Sequence, residues 1–164
     1  MPVSIQPACI QVGAARLALA LVFGLLVVSG YVVAPQLFAH AGNRHLAGDL
    51  AGHVFHLANI GALMLLASVA GFWWRMGLKS RRSAWLVLLL LFMCLAINEF
   101  AVAPVIAGLK AQRALVAPAT GEAALPHSFA MWHGLSSVIH LLATLLAAWL
   151  VASAPQERNA CSIS

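Results

Sequence analysis

MWHGLSSVIHLLAT, Met131 to Thr144, is the stretch whose reading decides the fold. It lies in the last of four long apolar segments, yet it carries a stripe of polar groups. Ser136, Ser137, His140 and Thr144 follow His133 by 3, 4, 7 and 11 residues. On an α-helix those offsets share one face. Polar groups within a membrane segment are expensive, so such a stripe is expected to face protein or water rather than lipid.

Composition points to the same solvent. The chain has 164 residues, of which 63% are hydrophobic and 8% charged. A soluble domain carries about a quarter charged residues. Here there are too few to coat a surface exposed to water, and the lipid bilayer is the expected surrounding. The net charge of +5 does not point to nucleic acid, because most basic residues sit in short loops between apolar runs. Lys and Arg placed there orient a membrane protein. Cys9, Cys94 and Cys161 form no CxxC pair, so neither a disulfide framework nor a zinc ribbon is expected. Cys94 reads as a small apolar residue. No internal repeat, low-complexity segment or second domain is read.

The expected fold is all-α, a single-domain membrane four-helix bundle with spans at about 14–38, 49–74, 83–105 and 127–152. Residues 1–13, with Pro2 and Pro7, read as irregular. Ala39-His40-Ala41 loosely fits a signal-peptide cleavage site, but the preceding run is far longer than an h-region and reads as a retained helix. Pro35 and Pro104 are expected to close the first and third spans, and residues 110–126 to form the longest loop. Asp49, Gly52, His53, His56 and Asn59 make a second one-sided stripe. Gly48 and Gly52 form a small-xxx-small pair that lets a neighbouring helix approach. Trp73, Trp74 and Trp85 flank the basic loop as an interfacial belt.

Alternating spans place both termini and the second-to-third loop on one side. That side holds Arg16, Arg75, Lys79, Arg81, Arg82 and Arg158, against Arg44, Lys110 and Arg113 opposite. The excess predicts cytoplasmic termini. Counting from the outer surface puts His53, His56, Asn98, Glu99 and His133 roughly 5–10 Å deep. Ser136 and Ser137 come a turn lower, and His140 falls near the midplane. Three helices thus bring their strongest polar groups to one layer, which random placement would not be expected to do.

Glu99 is the only carboxylate well inside a span. An isolated charge there is unfavourable, so it is expected to be protonated, wetted, or paired with His53, His56 or His133. Three readings follow. A cluster of Asn59, Asn98, Glu99, Ser136 and Ser137 with the histidines fixes helix packing. Alternatively, His53 or His56 facing His133 or His140 binds haem b or a transition metal between spans 2 and 4. No HExxH or CxxCH signature supports that directly. A third reading, a proton or solute path, is limited by the apolar inner half of every span. His40, His45 and His127 read as interfacial loop residues.

Four stretches resemble the family named for human transmembrane protein 205, which includes many small bacterial proteins. They are Phe129 with HGLSSVIHLL from His133, GYVVAPQLF from Gly30, AGDLAGHVF from Ala47 and INEFAVAPVIAGL from Ile97. The resemblance implies a four-span protein and the bacterial inner membrane, but no catalytic mechanism. It singles out Asn98, His133, Ser136 and Ser137. His53, His56, Glu99 and His140 are departures from or additions to its pattern. The leading expectation is a non-enzymatic accessory or small-ligand-binding protein. Its expected partners are lipid and either a second copy or a membrane-complex partner.

Overall fold

The computed structural model describes residues 7–75, 82–120 and 127–153, with side chains at 7–9, 44, 113–120 and 127 left aside. Every element among them is helical. In chain order they are α1 (Pro7–Val27), a π-helical turn (Val28–Val33), α2 (Ala34–His40), α3 (Arg44–Arg75), α4 (Arg82–Ile97), a second π turn (Asn98–Val102), α5 (Ala103–Thr120) and α6 (His127–Ser153). The backbone stays right-handed helical through each π turn, so α1–α2 and α4–α5 are two continuous rods.

Four helices are therefore long and apolar enough to cross a membrane: Ile10–His40, His45–Arg75, Arg82–Gln112 and Ser128–Ser153. At 26 to 31 residues each, they exceed the ~20 residues that a bilayer core requires. The four fit a multi-pass membrane protein, and they are called spans 1 to 4 below.

The rods run further than expected from the sequence. Helix begins at Pro7, where a proline is tolerated in the first turn. Residues 110–120 continue α5 rather than forming a loop. The connector between spans 1 and 2 shrinks to Ala41–Asn43, where Gly42 takes a φ of 64°. Neither Pro35 nor Pro104 ends its helix. Each follows a π turn in which the preceding alanine N–H reaches back five residues, Ala34 to Ser29 and Ala103 to Asn98. A proline has no N–H and collides with the carbonyl four residues back, so a widened turn just before it accommodates the ring.

This device occurs twice, on the sequences SGYVVAP and NEFAVAP. Ser29 and Gly30 of span 1 thereby correspond to Asn98 and Glu99 of span 3. The two halves of the chain share a local design, although no repeat stands out in the sequence as a whole.

Span 1 packs against spans 2 and 4, and span 3 against the same two, so spans 1 and 3 sit on a diagonal. One continuous apolar core joins all four. It includes Leu19, Val22 and Leu26 of span 1 and Leu66, Val69 and Trp73 of span 2. Leu88, Leu91 and Leu95 of span 3 meet Ala143, Ala147 and Leu150 of span 4 there. Small Ala143 and Ala147 on span 4 face large leucines, which lets the layers interdigitate. Outside this core, broad apolar faces lie open, with Leu57, Met64 and Phe100 among the most exposed. That is the expected surface for a lipid solvent. Trp73 turns inward, edge-on to Trp85 at 5.6 Å, whereas Trp74 points outward.

Candidate functional site

Most of the buried polar side chains gather toward the half of the bundle that holds the Ala41–Asn43 connector: Ser29, Asn59, Asn98, Glu99 and, near mid-span, His140. Thr144, also buried, lies one turn further along α6. Both π turns lie in this layer, so the widened backbone and the polar groups coincide. Such turns recur at functional sites.

Glu99 is the centre. Its side chain is 6% exposed and accepts from two residues of span 2. Asn59 Nδ2 donates to Oε2 at 2.9 Å. His56 Nδ1 pairs with Oε1. Of the three histidines expected as partners, the structure selects His56. It lies three residues before Asn59, so one turn of α3 presents both groups to one carboxylate. The His56 side chain is itself 60% exposed, so Glu99 steadies an imidazole that lies mostly outside the packed interior. A carboxylate on one ring nitrogen fixes the tautomer and orientation of the other.

On the far side of span 3, Ser136 Oγ of span 4 donates to Asn98 Oδ1 at 2.8 Å. Of the three hydroxyls in the α6 stripe, Ser136 Oγ is the one that reaches another helix. Ser137 and Thr144 return theirs to the His133 and His140 carbonyls of their own helix. A hydroxyl satisfied that way makes no demand on the bundle. Ser136→Ala is therefore expected to lower stability by about 1 kcal/mol, and Ser137→Ala to leave it nearly unchanged. Unfolding by SDS titration in mixed micelles would compare them. Equal losses in both variants would contradict the assignment.

His140 occupies the diagonal counterpart of the Glu99 site. Its Nε2 bonds the Leu26 carbonyl of span 1 at 3.0 Å. Its ring meets Phe55 edge-on at 5.2 Å and lies 6.0 Å from Tyr31. Gly30 makes the room: a Cβ there would stand 2.4 Å from Nε2. Nothing in the sequence reading marked Gly30 as a seat for His140. The available signal was its position in the π turn, matched by Glu99 in the other half.

The span-4 stripe does not act as one face. It is ~100° wide, and the other spans cover only some of its members, whose burial depends on height along the helix as well as on angle. Ser136, His140 and Thr144 turn inward, whereas His133 and Ser137 face out, with His133 stacked on Phe129 at 6.0 Å. His53 likewise faces out of span 2. Gly48 and Gly52 do not seat a helix backbone. Lys110 of α5 reaches over them, donating to the Gly48 carbonyl at 2.9 Å and to Asp49 at 3.3 Å.

A haem held between spans 2 and 4 is not supported by this arrangement. His140 has its Nε2 engaged and its ring enclosed, while His53 and His133 point away from the interior. No group of three or more His, Cys, Asp and Glu side chains suited to a metal gathers among the described residues.

The family described as Domain of unknown function (DUF4149) matches residues 17–115, more than half of the chain. The chain belongs to the DUF4149 family. The matched segment contains both π turns and the Glu99–His56–Asn59 cluster. Span 4, with His133, Ser136, Ser137 and His140, lies outside it. No curated protein and no solved structure matches the chain.

Proposed function

We propose that this DUF4149 protein is a non-enzymatic, multi-pass protein of the bacterial inner membrane. In this reading both termini are cytoplasmic, and the polar layer in the outer half of the bundle binds a small ligand or a membrane partner. The stretches similar to the transmembrane protein 205 family support placing the chain beside that family. The excess of Lys and Arg on the side of Arg75 and Arg82 supports the orientation.

One observation carries the reading. An imidazole well along a spanning helix is 60% exposed, yet a buried carboxylate holds it in one orientation. A polar group facing hydrocarbon is unfavourable, so a group fixed in that position calls for something to meet it. A network serving only to pack helices would turn the ring inward, as it does His140. Lipid headgroups, a second copy or another membrane protein can each supply the counterpart.

Thermal unfolding tests the reading in two preparations of the full-length protein. One is extracted directly in native-lipid particles. The other is delipidated in detergent and returned to synthetic lipid. The native preparation is expected to unfold at a higher temperature, because a ligand bound only to the folded state stabilises it. His56→Ala should remove that difference, so that its two preparations unfold at the same temperature. Equal midpoints for wild type, or a difference that survives His56→Ala, would overturn the proposal.

A further inference from the structure

Two buried acceptors in the polar layer have no hydrogen-bond partner among the described residues: Asn59 Oδ1 and His140 Nδ1. Asn59 is 2% exposed and His140 7%. Their chemistry follows from what their other atoms do. The Leu26 carbonyl can only accept, so His140 Nε2 carries the hydrogen and Nδ1 of the neutral ring is left as an acceptor. Asn59 gives Nδ2 to Glu99, which fixes Oδ1 as its free acceptor. Both atoms therefore need a donor, and neither can serve the other.

They also belong to one neighbourhood. His140 packs edge-on against Phe55, and Asn59 follows Phe55 by four residues, one turn along the same stripe of α3. Buried polar atoms in folded proteins are nearly always satisfied, by water where protein does not reach. Two buried acceptors on different helices, linked through Phe55, match a molecule that carries at least two donor hydrogens. The surroundings also suit a cation. The rings of Phe55 and Tyr31 flank His140, and the Glu99 carboxylate adjoins Asn59.

We propose that the interior between Phe55, Asn59 and His140 is a binding site for a small hydrogen-bond donor, water or an ammonium ion. It bridges Asn59 Oδ1 and His140 Nδ1. The proposal rests on reading the polar layer as a binding cluster, but it concerns the interior side of that layer, away from the outward edge of His56. Gly30 is part of the same site, because it lets the ring approach span 1 closely enough to leave Nδ1 turned to the interior.

The test is the nitrogen resonance of His140 Nδ1 in full-length protein labelled with 15N-histidine, in lipid nanodiscs, assigned by its loss in His140→Phe. The expected result is the shift of a hydrogen-bonded, unprotonated ring nitrogen, retained in Asn59→Leu because His140 still holds the donor. Replacing sodium chloride with ammonium chloride at equal ionic strength separates the two occupants. A saturable further shift, with a matching rise in thermal midpoint absent from His140→Phe, names ammonium. An unchanged hydrogen-bonded shift names water. A non-bonded shift in both salts overturns the proposal. So does a bonded shift that reverts in Asn59→Leu, since the Asn59 amide would then be the donor. His56→Ala should leave this resonance in place, so failure of the outward-facing site and failure of this one give different results.

Discussion

Gly30→Ala is expected to destabilise the protein by about 2–4 kcal/mol, although glycine to alanine ordinarily favours a helix by about 1 kcal/mol. The new methyl group would stand 2.4 Å from His140 Nε2 and 2.8 Å from Cδ2. No real contact is that short, so the ring must leave. Phe55 and Tyr31 crowd its other sides, which prevents a small adjustment. Displacement breaks the bond to Leu26 and leaves buried polar atoms of span 4 unsatisfied. His140→Ala alone should also destabilise, through lost packing and the loss of its bond to the Leu26 carbonyl. The double variant Gly30→Ala/His140→Ala should be more stable than the sum of the two losses implies, because the added methyl group then enters vacated space. SDS-unfolding free energies of the four proteins test this. Strict additivity would mean that Gly30 is not the seat of His140.

The second large effect is expected at Glu99. Glu99→Ala removes the acceptor of Asn59 and the partner of His56 in one step. Asn59 cannot recover its bond from solvent, since it is almost fully buried. Leaving a buried donor without a partner costs about 1–3 kcal/mol, and opening space beside it adds to that, so a loss of about 2–4 kcal/mol is expected. Glu99→Gln keeps an acceptor for Asn59 and an amide that can donate to His56 Nδ1, so it should lose about 1 kcal/mol or less. His56→Ala should lose less than Glu99→Ala, because Asn59 still donates to Glu99 Oε2 and the ring is mostly outside the packed interior, although Glu99 Oε1 loses its partner. That Glu99→Ala loses most, and Glu99→Gln clearly less, is the prediction. A glutamine variant as damaged as the alanine variant would show that charge, rather than hydrogen bonding, holds spans 2 and 3 together.

Glu99 and Gly30 also show how far the sequence could be read. That Glu99 needs a partner follows from its chemistry, since a lone carboxylate among leucines is unfavourable anywhere. That the partner is His56 rather than His53 does not follow from spacing. The two imidazoles are three residues apart and point about 60° from each other around the helix, and only the position of span 3 decides between them. The stripe on span 4 behaved in the same way. Helical periodicity put His133, Ser136, Ser137, His140 and Thr144 on one side. It could not say which members of that side the neighbouring spans would cover, leaving His133 and Ser137 outside.

The two prolines mark another boundary of the sequence reading. A proline in a helix reads as a stop, because its local effect is to remove a hydrogen bond and clash with the preceding turn. Here each preceding turn widens, and the rods continue with Ser29 and Asn98 placed in the polar layer. Neighbouring spans cover both turns, and that packing offsets the local defect. The similarity of SGYVVAP and NEFAVAP became meaningful only once both were seen to adopt the same turn on diagonal spans.

By itself, the sequence determined that the fold is all-α, that four segments are long and apolar enough to cross a membrane, and that polar groups of several segments cluster along one half of them. These properties depend on hydrophobicity and on the 3.6-residue period, which neighbours along the chain carry without reference to the rest of the molecule. Tertiary structure alone decided that Glu99 holds His56 and Asn59, that Gly30 admits His140, and that His53 and His133 stay outside. Those outcomes depend on which faces of separate helices meet and how closely, and contacts between residues tens of positions apart exist only once the bundle has closed.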